Sequence, residues 1–589
     1  MSVTHISSDT LLDDIEQHFR VSAGPGAGKT YWLVEHIKNV LHNSNRLAKS
    51  KKIACITYTN IAVETILSRL GTSAENVEVS TIHSFLYKHI VKPYLSFISN
   101  EYEFNINEMD GHDEVQTYSG KIIEWIENHP SSNQLTHPYN INQLTRLPNN
   151  LNALTNWLES VKYKINSVSN EIIFSNERSE GYYLDGDTRR YLNRNCLNIL
   201  ERDLIGYKKL YWHEGKLSHD DVLFFSYQLL SNFPFILSVL RAKFPYFFID
   251  EFQDSNPIQV AILKLIGNEE TIVGVIGDRA QSIYGFQGAD PNQFHLFDLP
   301  NIIDYQISNN RRSSNEIINL LNILRNDIIQ NPLRNHSSRQ PTIIVGQMNI
   351  AFNRLQVVCG AEPIYTLSRQ NIISNAMKIA IGGIGLNGKL FEELKKKDSN
   401  PRRHNFIISC IKSIEFAREN KFKDSIKELE KIYKYLIDKQ EIKKISLKTI
   451  ILLLERYEEY KIGSLFEFAE IIRNNINNDI SRVTGGGVKT FYDSHTYQQL
   501  ALCVNVPEDL SRHKTIHKSK GDEFDNVLLV LKSESDLSFI TNPNVNANEE
   551  HRINYVAVSR ARNKLFISVP TLNQNNRTLL QTKVQIIDI

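Results

Sequence analysis

Short apolar runs of five to eight residues recur at wide intervals along the 589-residue chain. They are rich in β-branched and aromatic residues, which is typical of parallel strands that are buried on both faces. The runs are Lys52–Thr57, Tyr246–Asp250, Thr271–Asp278, Asn526–Val530 and Leu565–Val569. Between them, apolar residues recur at the spacing of an amphipathic helix. This alternation predicts an α/β fold whose ligand sites lie at the carboxyl ends of the strands.

Two long segments interrupt this pattern. Residues 109–214 and 376–489 lack such runs and are rich in Leu, Ile, Asn, Lys and Glu at helical spacing. We therefore expect two mainly helical insertions. Three adjacent glycines, Gly485, Gly486 and Gly487, provide a flexible exit from the second insertion.

The composition is that of an ordinary globular protein, with 41% hydrophobic residues and 67 basic against 66 acidic side chains. The length corresponds to about three to five domains. The five cysteines lie far apart without a CxxC pair, so neither a disulfide framework nor a zinc ribbon is predicted. No apolar run approaches the ~20 residues of a membrane span, and the acidic N-terminal segment does not resemble a signal peptide. We expect a cytoplasmic protein that does not bind membranes.

One segment departs from the overall balance of charge. Residues 391–450 contain 16 Lys or Arg and 10 Asp or Glu, whereas the whole chain has a net charge of +1. The same stretch has apolar residues at helical spacing. Two interpretations remain open for it, a solvated helical face and a surface that contacts nucleic acid.

A glycine-rich loop follows Arg20-Val21-Ser22, which is predicted to end a strand. The loop is Ala23-Gly24-Pro25-Gly26-Ala27-Gly28-Lys29-Thr30, and an amphipathic stretch follows it. Strand, loop and helix in this order form a P-loop, in which glycines let backbone N–H groups approach phosphates closely. Lys29 is expected to reach the β- and γ-phosphates, and the Thr30 hydroxyl to bind Mg²⁺. The loop therefore predicts nucleotide binding, although Ala23 occupies the position of the first glycine.

A second cluster of candidate residues follows the apolar strand that ends at Ile249. Asp250, Glu251 and Asp254 lie there, and acidic side chains at the end of a buried strand are costly without a cation or a polar partner. Asp250 is placed to hold Mg²⁺, directly or through water, and Glu251 to orient and deprotonate an attacking water. In combination with the P-loop, this pattern is typical of a Walker B motif.

These two motifs, and six others that occur in order along the chain, resemble those of the superfamily 1 helicases of the UvrD, Rep and PcrA type. The Walker B motif corresponds to motif II, Asp250-Glu251-Phe252-Gln253-Asp254. The six others are similar to motif Ia (Ile56-Thr57-Tyr58-Thr59-Asn60), the next DNA-contacting motif (Ser80-Thr81-Ile82-His83-Ser84-Phe85), motif III (Gly277 to Ala289), motif IV (Asn310-Arg311-Arg312-Ser313), motif V (Thr515 to Phe524) and motif VI (Tyr555 to Arg562).

The resemblance implies two RecA-like domains, each a parallel sheet flanked by helices, with ATP bound in the cleft between them. Residues 1–108 and 215–290 would form domain 1A. Residues 291–375 and 490–589 would form domain 2A. The insertions at 109–214 and 376–489 fall where such enzymes carry subdomains 1B and 2B.

The resemblance also implies roles around ATP. Glu251 and Gln281 would be catalytic residues of the first domain, and Arg312 and Arg560 of the second would act as arginine fingers on the γ-phosphate. The loop from Ala23 to Thr30 would bind the nucleotide together with Glu523. Thr30 and Asp250 would hold the Mg²⁺ ion. Hydrolysis would thereby be coupled to closure of the cleft.

Single-stranded DNA, or a junction of single- and double-stranded DNA, is the implied partner. Aromatic side chains in such sites stack on bases, each stack contributing roughly 1–3 kcal/mol. The residues at DNA-contacting positions are Tyr58, Asn60, His83, Ser84, Tyr284, Phe286 and His517. The sequence departs from the family at Arg311, where a tyrosine usually precedes the motif IV arginine, and at Gln287, where motif III usually has an arginine.

The complete set of motifs predicts an ATPase that moves along single-stranded DNA in the 3′ to 5′ direction and unwinds duplex DNA. The alternative is a DNA-sensing ATPase subunit that controls a partner nuclease of the OLD family in a hetero-oligomer. It is based on similarity in size and motifs to the helicase subunits of Gabija-type anti-phage defence systems. The chain also ends about 27 residues after motif VI, without a nuclease domain of its own. A P-loop ATPase that does not bind nucleic acid is a third class, which would have no use for the aromatic residues of motifs Ia and III.

Overall fold

The computed structural model describes residues 3–47, 50–113, 115, 119–135, 148–166, 169–176, 180–185, 188–381, 386–433, 439–506 and 511–589. Contacts within the chain divide it into two units, Met1–Ser308 and Asn309–Ile589. Parts of both predicted insertions, including residues 136–147 and 434–438, lie outside the described residues.

The described residues form nineteen strands, which we number in chain order. They are β1 Thr4–Ile6, β2 Phe19–Ala23, β3 Ile53–Thr57, β4 Val77–Thr81, β5 Val161–Ile165, β6 Ile172–Asn176, β7 Tyr182–Asp185, β8 Thr188–Tyr191, β9 Tyr246–Ile249, β10 Ile272–Gly277, β11 Ile303–Ile307, β12 Asn309–Asn310, β13 Asn331–Pro332, β14 Thr342–Val345, β15 Ile364–Ser368, β16 His513–Thr515, β17 Phe524–Val530, β18 Ala561–Val569 and β19 Gln585–Asp588.

The first unit is built on a seven-stranded sheet in the order β1-β11-β2-β10-β9-β3-β4, in which every pair is parallel. β3, β9 and β10 confirm the strands predicted at these positions to within one residue at each end. β2 confirms the strand that precedes the glycine-rich loop. The parallel pairing places the carboxyl ends of all seven strands at one edge of the sheet.

The boundary between the two units lies later than predicted. β11 pairs with both β1 and β2, so the residues up to Ser308 belong to the first unit. The predicted boundary between residues 290 and 291 is therefore wrong. Four of the five residues of β11 are only partly buried, so this strand lacks the continuous apolar run by which the buried strands are recognised.

Helices of eight or more residues flank this sheet, and three of them lie in the described part of the first insertion. They are Lys29–Asn43, Asn60–Leu70, Ser119–Asn128, Pro148–Leu158, Leu204–Trp212, His219–Asn232, Pro234–Lys243 and Pro257–Gly267. The insertion also carries two antiparallel hairpins, β5-β6 and β7-β8, which the sequence pattern does not predict. Most described residues of these hairpins are exposed or only partly buried, so they too lack apolar runs.

The second unit is built on a six-stranded parallel sheet in the order β16-β15-β17-β18-β14-β19. β17 and β18 confirm two predicted strands and extend each toward its amino end. The helices of eight or more residues are Asn315–Leu324, Met348–Cys359, Asn371–Lys378, Leu390–Lys397, Pro401–Arg418, Phe422–Tyr433, Lys439–Glu455, Leu465–Asn475, Gly486–Ser494 and Glu549–Val558. The two parallel sheets with flanking helices confirm the predicted α/β class.

The second insertion is helical throughout its described residues, as predicted. Its helices pack around a core in which Ile411, Leu429, Leu453 and Phe468 are buried. This core also includes Tyr497, beyond residue 489 where the insertion is predicted to end, and the helix Gly486–Ser494 begins within the three glycines that the sequence predicts as a flexible exit. The lysines of the basic stretch lie mostly on exposed positions of these helices. This placement is compatible with both interpretations of the stretch.

No single helix among the described residues is long and apolar enough to cross a membrane. The helices His219–Asn232 and Pro234–Lys243 meet these criteria only as a pair, and the chain bends by 104° between them. Their apolar side chains, such as Phe224, Leu229 and Ile236, are buried in the core of the first unit.

An aromatic cluster fixes the helix Lys29–Asn43 to the first sheet. Trp32 and His36 stack with their ring centroids 5.1 Å apart and an interplanar angle of 4°. Phe19 packs edge-on against both rings, and Phe248 contacts Phe19 and His36. Burial lowers the pKa of His36 to about 3. The folded state therefore keeps this side chain neutral.

Replacing His36 with leucine is expected to flatten the dependence of stability on pH. The pKa of His36 is lowered from 6.5 to about 3 on folding, so protons bind preferentially to the unfolded chain. The stability of the folded state should fall as the pH falls from about 6.5 toward 3, by up to ~1.4 kcal/mol per pH unit from this group. Melting temperatures measured between about pH 7.5 and pH 5 should therefore decrease less steeply in His36→Leu than in the wild type.

The control for this comparison is His42→Leu, because His42 is exposed on the same helix. It should retain the steeper pH dependence of the wild type. Other buried histidines, such as His18 and His89, are common to all three proteins and cancel in the comparison. Equal slopes for the wild type and His36→Leu would contradict the prediction.

Candidate functional site

The glycine-rich loop lies between β2 and the helix that begins at Lys29. Gly26 and Gly28 have φ angles of 71° and 85°, in the region that favours glycine. A Cβ atom at Gly28 would also lie 3.2 Å from the Cβ of Ser8. The loop thus has the strand, glycine turn and helix start that form an anion site at a helix N-terminus.

Lys29 places a positive charge inside this loop. The residue is 8% exposed, and its Nζ donates a hydrogen bond to the carbonyl oxygen of Ala23 at 3.3 Å. A buried ammonium group is costly unless a negative charge lies close to it. An anionic ligand in the loop would supply that charge in addition to the nearby Asp250.

The two predicted metal ligands are in contact with each other. The Thr30 hydroxyl donates a hydrogen bond to Oδ2 of Asp250 at 2.9 Å, and the backbone N–H of Glu251 donates to Oδ1 at 3.0 Å. Asp250 is buried. Burial and the adjacent charge of Glu251 raise the pKa of Asp250 above its usual value, while Lys29 acts in the opposite direction.

The predicted catalytic residues Glu251 and Gln281 are joined through two residues of motifs II and III. Gln253 donates from Nε2 to the carboxylate of Glu251, and its Oε1 accepts from the backbone N–H of Asp278 at 2.9 Å. Asp278 accepts a hydrogen bond from Nε2 of Gln281 at 2.7 Å. Gln253, Asp278 and Gln281 are buried. Sequence reasoning places Gln253 and Asp278 in the motifs but gives neither a role of its own, because their link is a contact between two strand ends.

Five motifs of the first unit meet at the carboxyl edge of its sheet. The glycine-rich loop follows β2, motif II follows β9 and motif III follows β10. Motif Ia and the next DNA-contacting motif span the ends of β3 and β4. β2, β10, β9, β3 and β4 are consecutive neighbours in the sheet. The candidate nucleotide residues and the candidate DNA residues of this unit therefore lie side by side.

Tyr58 contacts the chain that follows Asp250. Its hydroxyl donates a hydrogen bond to the carbonyl oxygen of Asp254 and lies 2.8 Å from Oε1 of Gln259. Its ring is nearly parallel to that of Tyr284, with centroids 6.5 Å apart and an interplanar angle of 7°. Burial raises the pKa of the Tyr58 hydroxyl well above its usual value. Tyr58 thus connects motif Ia with motifs II and III.

Phe286 and Asn60 are exposed candidate DNA residues. Phe286 is 64% exposed on the single turn Gly285–Gln287, and its ring lies 6.0 Å from that of Tyr284. Asn60 is exposed at the start of the helix Asn60–Leu70.

His83 and Ser84 lie on the short helix that follows β4. Ser84 is exposed, and its hydroxyl accepts a hydrogen bond from Thr81 at 2.9 Å. His83 is partly buried against His219, with ring centroids 5.3 Å apart. Burial, and then the neighbouring His219 and His112, lower the pKa of His83 to about 4. His83 is therefore neutral near pH 7.

In the second unit, the arginines of motifs IV and VI lie at the amino ends of β17 and β18. Arg312 donates to the carbonyl oxygen of Ser559 at 2.9 Å and to Oε1 of Glu523 at 2.6 Å. Arg560 is 3% exposed and donates to the carbonyl oxygen of Val556 and to Oγ of Ser559. Glu523 directly precedes β17, and Arg560 directly precedes β18. The structure therefore brings together three predicted nucleotide-site residues that are far apart in sequence.

Glu523 is ionised within this arginine cluster. Burial alone would raise its pKa, but Arg312, Arg560 and Arg562 together hold the pKa of Glu523 below its usual value. Arg562 also lies 3.8 Å from Asp525. The carboxylate of Glu523 orients the guanidinium of Arg312 by a charge-assisted hydrogen bond.

His517 occupies a different part of motif V. It begins the single turn His517–Ser519 that follows β16, whereas Glu523 precedes β17. The adjacent Lys518 donates from Nζ to the carbonyl oxygen of Val506 at 2.6 Å, which ties this turn to a neighbouring segment.

A glycine loop with an enclosed lysine, a threonine bonded to a strand-end aspartate and a parallel sheet define a P-loop nucleotide-binding protein. Residues 7–300 match the model of the UvrD/REP helicase N-terminal domain. Residues 440–568 match the model of the viral superfamily 1 RNA helicase core domain. The chain belongs to the UvrD/REP helicase family, which confirms the resemblance of its motifs to superfamily 1 helicases.

Two kinds of curated relatives are about one-quarter identical to this chain over the part of each chain that aligns. Gabija protein GajB of Bacillus cereus is 26% identical over 336 residues, which cover 52% of this chain and 47% of that protein. The ATP-dependent DNA helicase PcrA of Bacillus subtilis is 26% identical over 327 residues, which cover 54% of this chain and 38% of PcrA. PcrA of Staphylococcus aureus matches to the same extent. The chain thus matches less than half of the length of each relative.

Proposed function

We propose that this protein is an ATP-dependent DNA helicase that couples ATP hydrolysis to 3′ to 5′ movement along single-stranded DNA. The observation that carries the proposal is the shared edge of the first sheet. The strand that carries Asp250 is hydrogen-bonded to the strand that leads into Tyr58, and the backbone N–H of Asp250 donates to the carbonyl oxygen of Ile56 at 2.9 Å. Neighbouring strands lie about 4.8 Å apart, so the residues for the nucleotide and for DNA are close enough to influence each other.

Thr30 and Asp250 fit a Mg²⁺ ion. Mg²⁺ takes oxygen ligands and is usually held by one or two carboxylates together with the phosphates of the substrate. Asp250 supplies a buried carboxylate, which a cation would stabilise, and Thr30 supplies a hydroxyl next to it. The bound ion would neutralise charge that develops on the phosphate oxygens during phosphoryl transfer.

Glu251 is the proposed general base for the attacking water. Its φ angle of 54° is uncommon for a residue other than glycine, and such conformations concentrate at functional sites. The hydrogen bond from Gln253 fixes the direction of its carboxylate. Glu251 would orient the water and take its proton, while Gln281, held by Asp278, would contact the γ-phosphate.

Arg312 and Arg560 are proposed to contact the γ-phosphate of ATP. A guanidinium group offers several N–H donors in a fixed planar arrangement, which suits phosphate oxygens. The hydrogen bonds to Glu523 and Ser559 keep both arginines in defined positions. Arginines of this kind contribute factors of ~10³ to 10⁵ to turnover.

The test is steady-state ATP hydrolysis by the purified chain with and without a single-stranded DNA oligonucleotide. Strong stimulation by DNA is expected, and Lys29→Ala should abolish hydrolysis in both conditions. Partial duplexes with a 3′ or a 5′ single-stranded overhang then test polarity, and only those with a 3′ overhang should be unwound. An active ATPase that does not respond to DNA would contradict the proposal.

A matched pair of surface variants tests the DNA contact. Phe286 and Leu296 are each 64% exposed, but only Phe286 lies beside Tyr284 at the candidate DNA surface. Phe286→Ala should weaken DNA binding by roughly 1–3 kcal/mol, the contribution of one stacked base. Leu296→Ala should bind DNA as the wild type does. Equal DNA affinity of the two variants would remove Phe286 from the proposed DNA site.

A second candidate function is that of a DNA-sensing ATPase subunit that regulates a partner nuclease of the OLD family in an anti-phage defence complex. The similarity to Gabija protein GajB favours it. Co-expression with the neighbouring gene products and purification through a tag on this chain test it. Recovery of a nuclease whose cleavage responds to ATP is expected, whereas a monomer purified alone from the native lysate would count against it.

A further inference from the structure

Arg334 lies outside all the motifs that the sequence identifies, yet it contacts two of them. Its Nη1 donates hydrogen bonds to the backbone carbonyl oxygens of Arg312 at 3.1 Å and of Arg562 at 3.5 Å. These carbonyl groups belong to motif IV and motif VI, respectively. A single guanidinium group therefore bridges two motifs that are distant in sequence.

The segment that carries Arg334 is itself fixed to motif IV. β13 pairs in parallel with β12, whose second residue is Asn310. The backbone N–H of Leu333 donates to the carbonyl oxygen of Asn310 at 3.0 Å, and the side chain of Asn310 donates to Oε1 of Gln330 at 3.2 Å. Asn310 and Gln330 are buried. These contacts therefore hold the backbone next to Arg334 in place beside motif IV.

Further hydrogen bonds join motif IV to motif VI at the same point. The Ser313 hydroxyl donates to the carbonyl oxygen of Ala561 at 2.9 Å. The backbone N–H of Ser314 donates to the carbonyl oxygen of Arg562 at 2.8 Å. The carbonyl oxygen of Arg562 thus accepts hydrogen bonds from both Ser314 and Arg334. These contacts set the backbone from which the side chains of Arg312 and its neighbour Arg560 extend.

We propose that Arg334 is a positioning residue that fixes the backbone of motifs IV and VI, so that their arginines act on the γ-phosphate together. The inference rests on the proposed ATPase function. Both acceptors of Arg334 are backbone carbonyls, so its effect passes through the residues it holds. Misplacement of a catalytic group by about 1 Å can cost ~10²-fold in rate, and the loss falls on the transition state rather than on ground-state binding.

The test compares Arg334→Ala, Arg334→Lys and the wild type in DNA-stimulated ATP hydrolysis. Arg334→Ala is expected to lower kcat about tenfold while KM for ATP changes by less than about twofold. Arg334→Lys, which retains a donor of similar reach, should recover part of the loss. The control is Arg339→Ala, because Arg339 lies in the same segment but donates to Gln585 at 3.1 Å. That variant should have the kcat of the wild type.

A double-mutant cycle with Arg312→Ala separates positioning from direct contact with ATP. Because Arg334 is proposed to act through Arg312 and Arg560 jointly, Arg312→Ala already removes that joint action, and Arg334→Ala should cost much less in the Arg312→Ala background than in the wild type. Additive losses, a raised KM for ATP, an unchanged kcat or a lowered melting temperature of Arg334→Ala would each overturn the inference. A wild-type chain without DNA-stimulated hydrolysis would instead refute the proposed function.

Discussion

Arg560→Ala is expected to lower the rate of DNA-stimulated ATP hydrolysis by a factor of ~10³ or more. The guanidinium of Arg560 is proposed to stabilise charge that develops on the γ-phosphate, and this charge is largest in the transition state. Affinity for ATP should change far less, since the phosphate loop and Lys29 are unchanged in this variant. Single-turnover hydrolysis and the binding of a fluorescent ATP analogue measure the two quantities separately.

Two further variants test whether the loss of activity in Arg560→Ala comes from disturbed packing instead. Arg560 is buried and donates to Val556 and Ser559, so its removal also affects packing. Arg560→Lys keeps the charge but loses the planar array of donors, and it should also be strongly impaired. Arg577→Ala, which removes a surface ion pair with Asp588, should hydrolyse ATP at the wild-type rate. Wild-type turnover in Arg560→Ala would exclude Arg560 from the reaction.

Glu251→Gln is expected to reduce the rate of hydrolysis by ~10² to 10⁴, the usual contribution of a general base. The substitution keeps the size of the side chain and removes its ability to accept the proton of the attacking water. Binding of ATP and of DNA should both persist, because Lys29, Thr30 and Phe286 are unchanged. Burst and steady-state rates of phosphate release, measured at saturating DNA, test the prediction.

The control for this substitution is Glu75→Gln, which makes the same chemical change at an exposed position of the first unit. It should leave hydrolysis unaffected. If Glu251→Gln hydrolysed ATP as fast as Glu75→Gln, another group would have to activate the water. Loss of ATP binding in Glu251→Gln would point to a structural role for the carboxylate at the end of β9.

The strands that position the phosphate loop and motif II could be predicted because their local sequence is sufficient. β3, β9 and β10 are buried on both faces, so each forms an apolar run that ends where a polar motif begins. The glycines at positions 26 and 28 have the positive φ angles that such a loop requires. The motif order then identified the family, which the match to residues 7–300 confirms.

The remaining features depend on contacts between distant residues and have no local signal. β11 is recognisable as part of the first sheet only through its pairing with β1 and β2. The link from Glu251 through Gln253 and Asp278 to Gln281 needs the ends of β9 and β10 to be adjacent. The contact of Arg334 with motifs IV and VI likewise appears only once β12 and β13 are paired.

The contact between Tyr58 and the chain after Asp250 has a mechanical consequence. The Tyr58 hydroxyl is bonded to the carbonyl oxygen of Asp254, and the strands that lead to these residues are bonded to each other. A load applied to Tyr58 by a moving polymer would therefore reach the catalytic edge through two stiff strands and one hydrogen bond. Because this linkage is stiff, even a small displacement of the bound polymer would change the geometry at the site proposed for ATP hydrolysis.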